Sequence, residues 1–188
     1  MRHAWLSVSG GIVAAGLLIG APPVHAITTV FGGLAGECSQ DAKAGRFDSQ
    51  SQDVCSRALA GEPLDAHDRA GTYVNRGAME LRARDYEAAD ADFREAMKVK
   101  PNLGEAYVGE GAYLISQQRY AEAEPLLSKG IALGIEEPEK GYYFRGVARW
   151  GQDDYKGAYY DFKKASELKP DWSLPREQMA NFHVEEAR

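Results

Sequence analysis

The side chains that could hold a proton, a metal or a nucleophile are few in this chain of 188 residues. There are four histidines and two cysteines. His3 and His25 sit in the first 26 residues, which leaves His67 and His183 with no spacing that suggests a His-centred triad. Cys38 and Cys55 stand 17 residues apart, so no Cys-x-x-Cys redox pair exists. Nor do regularly spaced His or Cys partners complete the four ligands of a zinc site. Gly-x-Ser-x-Gly, the phosphate-cradling Gly-x-x-x-x-Gly-Lys-Ser/Thr and His-Glu-x-x-His are all missing. Carboxylates such as Asp85, Glu87, Asp90 and Asp92 stand among Arg82, Arg84 and Arg94, and read as solvated helix exteriors rather than a catalytic pair. No catalytic residue, metal site or cofactor is expected.

The 44% hydrophobic content is enough for one domain with a continuous core. Twenty-eight Asp and Glu against 22 Lys and Arg argue against a nucleic-acid partner, which needs clustered cations to displace phosphate counterions. The first 26 residues have the three parts of a secretory signal: Arg2 and His3, an apolar run from Gly11 to Ile19, and a c-region ending Val24-His25-Ala26. An uncleaved anchor is the competing reading, but the run is shorter than the ~20 residues a bilayer crossing needs. Cleavage is expected after Ala26, which removes one cation, Arg2, and takes the net charge from −6 to −7. Leu34-Ala-Gly-Glu-Cys38 lies too far beyond the apolar run for a lipid anchor. Because no Asn-x-Ser/Thr site is present, a bacterial periplasm, or secretion from such a cell, is the expected destination, with an oxidising environment and no stable membrane insertion.

The elements that would position a functional surface announce themselves as a repeat. Gly77, Gly111 and Gly146 recur at intervals of 34 and 35, each preceded by four residues by Tyr73, Tyr107 or Tyr142. The register continues through Tyr86, Tyr120 and Tyr155, then Ala89, Ala123 and Ala158, then Phe93, Leu127 and Phe162, then Ala96, Gly130 and Ala165. Pro101 and Pro170 close the first and third copies, where proline cannot extend a helix. Glycine in a helix costs about 1 kcal/mol against alanine, so three in register mark a place where no side chain fits. Over residues 70–172 the pattern resembles the tetratricopeptide repeat. That resemblance implies an all-α, right-handed solenoid of antiparallel helix pairs, read at 70–84 with 86–99, 104–117 with 120–133, and 139–151 with 155–168. Pro125 should bend the sixth of the chain's helices without breaking it. Residues 173–188 read as a capping helix with Ser173 as N-cap and Pro175 in its first turn, carrying Leu174, Met179, Phe182 and Val184.

Carried backwards, the same frame places a degenerate fourth unit in residues 27–69, with four extra residues before the next repeat. Cys55, Ala58 and Pro63 have the mutual spacing of Phe93, Ala96 and Pro101, and Cys38 shares a column with Arg76, Glu110 and Arg145. In the family these two columns face each other, which implies a Cys38–Cys55 disulfide tying helix 33–45 to helix 51–61. Stacked pairs of this kind form a concave groove lined by their first helices. The resemblance therefore implies a noncatalytic protein or peptide binder, an adaptor or scaffold of the cell envelope. The alternative is a structural subunit, a homo-oligomer or part of an envelope complex. Val74, Asn75, Ala78, Val108, Ala112, Tyr143 and Val147 are the expected partner-binding residues. Leu81, Ile115 and Trp150 complete the same stripes as neighbour packing. The carboxylate-gripping cations of the chaperone-binding members are missing here, with only Lys140 basic on the matching face, so an apolar segment is the expected ligand.

Overall fold

The computed structural model describes residues 33–182, so the expected signal segment and His183 and Val184 lie outside the described residues. Within them the chain forms α1 (Gly33–Lys43), α2 (Ser49–Gly61), α3 (Ala66–Ala83), α4 (Tyr86–Val99), α5 (Gly104–Ser116), α6 (Tyr120–Leu133), α7 (Pro138–Trp150), α8 (Tyr155–Leu168) and α9 (Ser173–Met179). There is no strand among the described residues. Helices pair consecutively, α1 with α2 through α7 with α8, and each pair rests on the next. First helices also touch one another in the order α1, α3, α5, α7, which places them side by side along one face.

The repeat columns are packing columns. A Cβ on Gly77 would meet the Phe93 ring at 2.9 Å, on Gly111 the Leu127 side chain at 2.5 Å, and on Gly146 the Phe162 ring at 2.8 Å. Phe93 is also wedged against Gly109 of the following pair, where an added Cβ would come within 2.4 Å of its ring. Ala89, Ala123 and Ala158 are fully buried beside these contacts, as are Phe93, Leu127 and Phe162. Burying such a ring stabilises by about 1.5–3 kcal/mol relative to leaving it in water.

In the degenerate pair Cys38 and Cys55 are bonded, with Cα atoms 5.0 Å apart. Both are fully buried and pack with Val54 and Met79, so the cross-link is continuous with the core of α3. Glu62, just past α2, receives hydrogen bonds from the Leu34 and Ala35 amides at 2.6 and 3.0 Å and so satisfies donors at the start of α1.

Asp48, Asp65, Asp85 and Asp154 cap α2, α3, α4 and α8 by accepting from backbone amides two or three residues on, each worth about 1 kcal/mol. Asp65 starts α3 four residues earlier than the repeat frame indicates, and absorbs the extra segment before the first clear repeat into helix. Ser173 is the first residue of α9 rather than its cap, which is Trp172. The capping helix is also shorter than expected: α9 stops at Met179, and the Phe182 ring beyond it packs on Trp150 at 5.3 Å and Phe162 at 6.1 Å. α6 runs unbroken through Pro125.

Asp92 is not the solvated carboxylate its neighbours suggest. It is buried and takes a two-pronged bond from Arg76, both contacts 2.7 Å, while the same guanidinium donates to Ser56 Oγ of α2 at 3.1 Å. Arg145 repeats the arrangement with Asp161 and with Ser128 of α6. One arginine therefore pins its own helix pair and the preceding one together. The second clear repeat has Glu110 in that column, approached by Arg94 of α4 at 3.7 Å.

Candidate functional site

The first helices leave a cavity of about 870 Å³ on the face they share, between α1, α3, the start of α5 and the turn after α6. Val74 and Asn75 of α3 line it together with Leu103 and Ile135, and Ser39, Thr72 and Asn102 add polar groups to these apolar side chains. Gly36 and Gly71 also line it, and a Cβ on either would meet nothing within 4 Å. These two glycines widen the cavity rather than relieve a clash.

Charged side chains of both signs form the mouth. The Glu105 carboxylate accepts from the Glu136 amide at 2.9 Å and so holds the turn before α7. Glu136 in turn pairs with Lys43, the last residue of α1, at 3.1 Å across the opening. Both partners are about two-thirds exposed, so this bridge contributes at most about 1 kcal/mol. On the opposite lip Lys100 Nζ stands 2.8 Å from His67 Nδ1, with Asp68 next to it in the lining. Among the described residues no cluster of three or more His, Cys, Asp or Glu is placed to hold a metal ion.

The remaining expected partner-binding residues are not brought to this cavity. Val108 is only 9% exposed and packs with Leu114, Ala123, Leu127 and Ala148, because its side chain turns toward Gly130 of α6. It serves the core. Tyr143 is partly buried in an aromatic cluster, 4.9 Å from Trp172 and 5.6 Å from Phe162, and burial pushes its hydroxyl pKa up. Ala78, Ala112 and Val147 are partly exposed on their helices but do not line the cavity. Ile115 packs against the core, and Trp150 meets Phe162 edge-on and Phe182 at a tilt, in keeping with neighbour packing.

Of the expected partner-binding residues only Val74 and Asn75 line the cavity, and its charged residues, Lys43, His67, Asp68, Lys100, Glu105 and Glu136, were not expected there. The available signal was Asp65-Ala-His-Asp68, an N-cap pattern that extends α3 and carries His67 to the cavity mouth.

No protein-family model and no curated protein matches the sequence. Solved structures do resemble the fold. "MamA 41-end from Desulfovibrio magneticus RS-1" superposes with a TM-score of 0.60 at 20% identity, over 79% of this chain and 80% of that one. "First TPR of Spaghetti (RPAP3) bound to HSP90 peptide SRMEEVD" gives a TM-score of 0.57 at 19% identity, over 63% of this chain and 94% of that one. The Arabidopsis OM64 TPR domain gives 0.57 at 21% identity, over 62% and 95%. The fold is that of the tetratricopeptide-repeat solenoid.

Proposed function

We propose that the protein is a noncatalytic interaction module that holds an extended segment of a partner protein in the cavity between α1, α3 and α5. The observation that carries this reading is the open space before Gly36 and Gly71, which both face the cavity shared by α1, α3 and α5. Glycine inside a helix costs about 1 kcal/mol, and at these two positions no contact offsets it. A ligand that occupies the space would.

Val74, Leu103 and Ile135 suit apolar side chains, Asn75 can both donate to and accept from a peptide backbone, and Lys43, Lys100, Asp68, Glu105 and Glu136 suit flanking residues of either charge. That a chain of the same fold is solved with a bound HSP90 peptide supports a peptide as the class of ligand. The mixed charge here favours an apolar segment with charged flanks over a purely acidic tail. The oxidised Cys38–Cys55 pair and the signal-like first 26 residues support an envelope or secreted location.

A random peptide display library selected on the chain from Ile27 onward tests this reading. Enriched peptides should lose binding to Gly71→Trp, whose indole fills the cavity, while that variant melts no lower than the parent. Peptides bound equally well by the parent and by Gly71→Trp would place the binding surface elsewhere.

A further inference from the structure

The outward face of α8 differs from those of its counterparts α4 and α6. Lys156, Tyr160, Lys163 and Glu167 fall at intervals of four, three and four, the seam spacing by which one helix meets another along its length. All four are exposed, and Tyr160 keeps 57% of its surface in water. The preceding repeats hold Ala91 and Pro125 in the column of Tyr160.

The charges are also unspent. On α4 the corresponding Arg94 and Lys98 are engaged, with Asp90 at 3.0 Å and Glu95 at 2.9 Å. On α8, Glu167 follows Lys163 by one turn, yet among the described residues none of Lys156, Lys163 and Glu167 forms an ion pair. The ion pairs between α7 and α8 or its caps instead run from Arg145 and Arg149 to Asp161, from Arg149 to Asp154 and from Lys169 to Glu139.

We propose that this face is a homodimer interface, in which α8 of a second copy lies antiparallel along Lys156, Tyr160, Lys163 and Glu167. The argument is self-complementarity. Reversing the helix about the point between Asp161 and Phe162 sets Lys156 opposite Glu167 and Tyr160 opposite Lys163, on both sides at once. Two ion pairs then close the ends of the seam and two cation–π contacts fill its middle. A parallel arrangement would set Lys156 against Lys156 and Glu167 against Glu167, so charge selects the antiparallel one. The contact uses an outer helix, which leaves the concave cavity free.

Sedimentation velocity over a protein concentration series, at low and high salt, tests the proposal. The parent chain should show a monomer–dimer equilibrium that salt weakens. Lys156→Glu and Glu167→Lys should each weaken dimerisation by about tenfold or more, because each replaces two attractions by two repulsions. Mixing these two variants, or combining both changes in one chain, should recover it, since every opposed pair is again of opposite charge. Tyr160→Ala should weaken the dimer without lowering the melting temperature. A parent chain that stays monomeric throughout overturns the proposal, as does a charge-swapped variant no better than the single reversals. Flotation with vesicles of anionic phospholipid separates the competing occupant: a monomer that binds them through Lys156 and Lys163 would make the face a lipid-binding surface and likewise overturn the dimer.

Discussion

Where α3–α4, α5–α6 and α7–α8 set a glycine against a ring or a leucine, α1–α2 sets a sulfur against a sulfur. The three later pairs gain their stability from close approach: the missing side chain of Gly77, Gly111 or Gly146 is the space that Phe93, Leu127 or Phe162 occupies. In the first pair Ser39 stands in the glycine column and Cys55 in the ring column, so far less apolar surface is available to bury. A covalent bond over a short loop supplies the difference by restricting the unfolded chain, worth about 3 kcal/mol in the chain-entropy account. Packing and cross-linking are thus interchangeable at one position of a repeat. The exchange occurs in the first helix pair of the described residues, whose α1 and α2 both rest on α3.

The comparison breaks most severely at Phe93, which touches glycines in two successive pairs. Phe93→Ala should cost about 3–5 kcal/mol, read as a lowered midpoint in urea or heat, since the cavity opens between repeats. A loss below about 1 kcal/mol would mean that the glycine columns are not held by the ring.

Replacing both Cys38 and Cys55 by Ala should cost about 3 kcal/mol or less, and most of the helical circular-dichroism signal should survive below the new, lower transition, because repeats are stabilised unit by unit. Free thiols in protein purified without reductant would remove the basis of the contrast.

Solution pH separates the repeats in a different way. Burial, the neighbouring Asp90 carboxylate and its hydrogen bond raise the Glu110 pKa from 4.5 to about 7, against the opposing pull of Arg94 and Arg119. Glu80 is likewise raised to about 7 by burial and by Asp92 and Asp85, with Arg76 opposing. A carboxyl whose pKa is higher folded than unfolded stabilises most below its unfolded value, and that contribution is lost as pH rises through the folded one. The melting temperature should therefore climb as pH falls from above 7 toward 4.5. Glu110→Gln should flatten part of that slope, and an unchanged slope would show that this carboxyl does not titrate in the window.

The smallest contrast lies in the turns within each pair. Arg84, Gln118 and Asp153 adopt φ of 65°, 59° and 62°, whereas the first pair places Gly45, at φ 72°, in its turn. Gln118→Gly should stabilise by about 0.5 kcal/mol once the looser unfolded chain is allowed for, and Gly45→Ala should destabilise by about 1 kcal/mol. Equal effects of either sign would erase the distinction.

The repeat period and the helix pairs were legible in the sequence because each depends on a residue type that few environments suit, and the resemblance to the repeat family then implied that the two cysteine columns face each other. Glycine inside a helix, alanine at a crossing and proline after a helix are such residues. Val74 and Asn75 could be placed on the cavity side by the same periodicity. Val108, one repeat later in the same column, could not be distinguished from Val74 that way. It points to α6 because Gly130 leaves room for it there, a fact about the facing helix rather than its own. Asp92 looked solvated because local spacing shows no partner, whereas Arg76 reaches it from 16 residues away on the paired helix.

Local chain chemistry determined which segments are helices and which faces they hide, since capping, periodicity and glycine cost act within a turn or two. Only the tertiary structure decided the cavity. It is formed by Lys43, His67, Lys100 and Glu136, residues from elements far apart in the chain, each unremarkable in its own helix or turn. They meet because the pairs stack with their first helices side by side, and that stacking depends on how four helix surfaces fit at once. No single stretch of sequence contains that information.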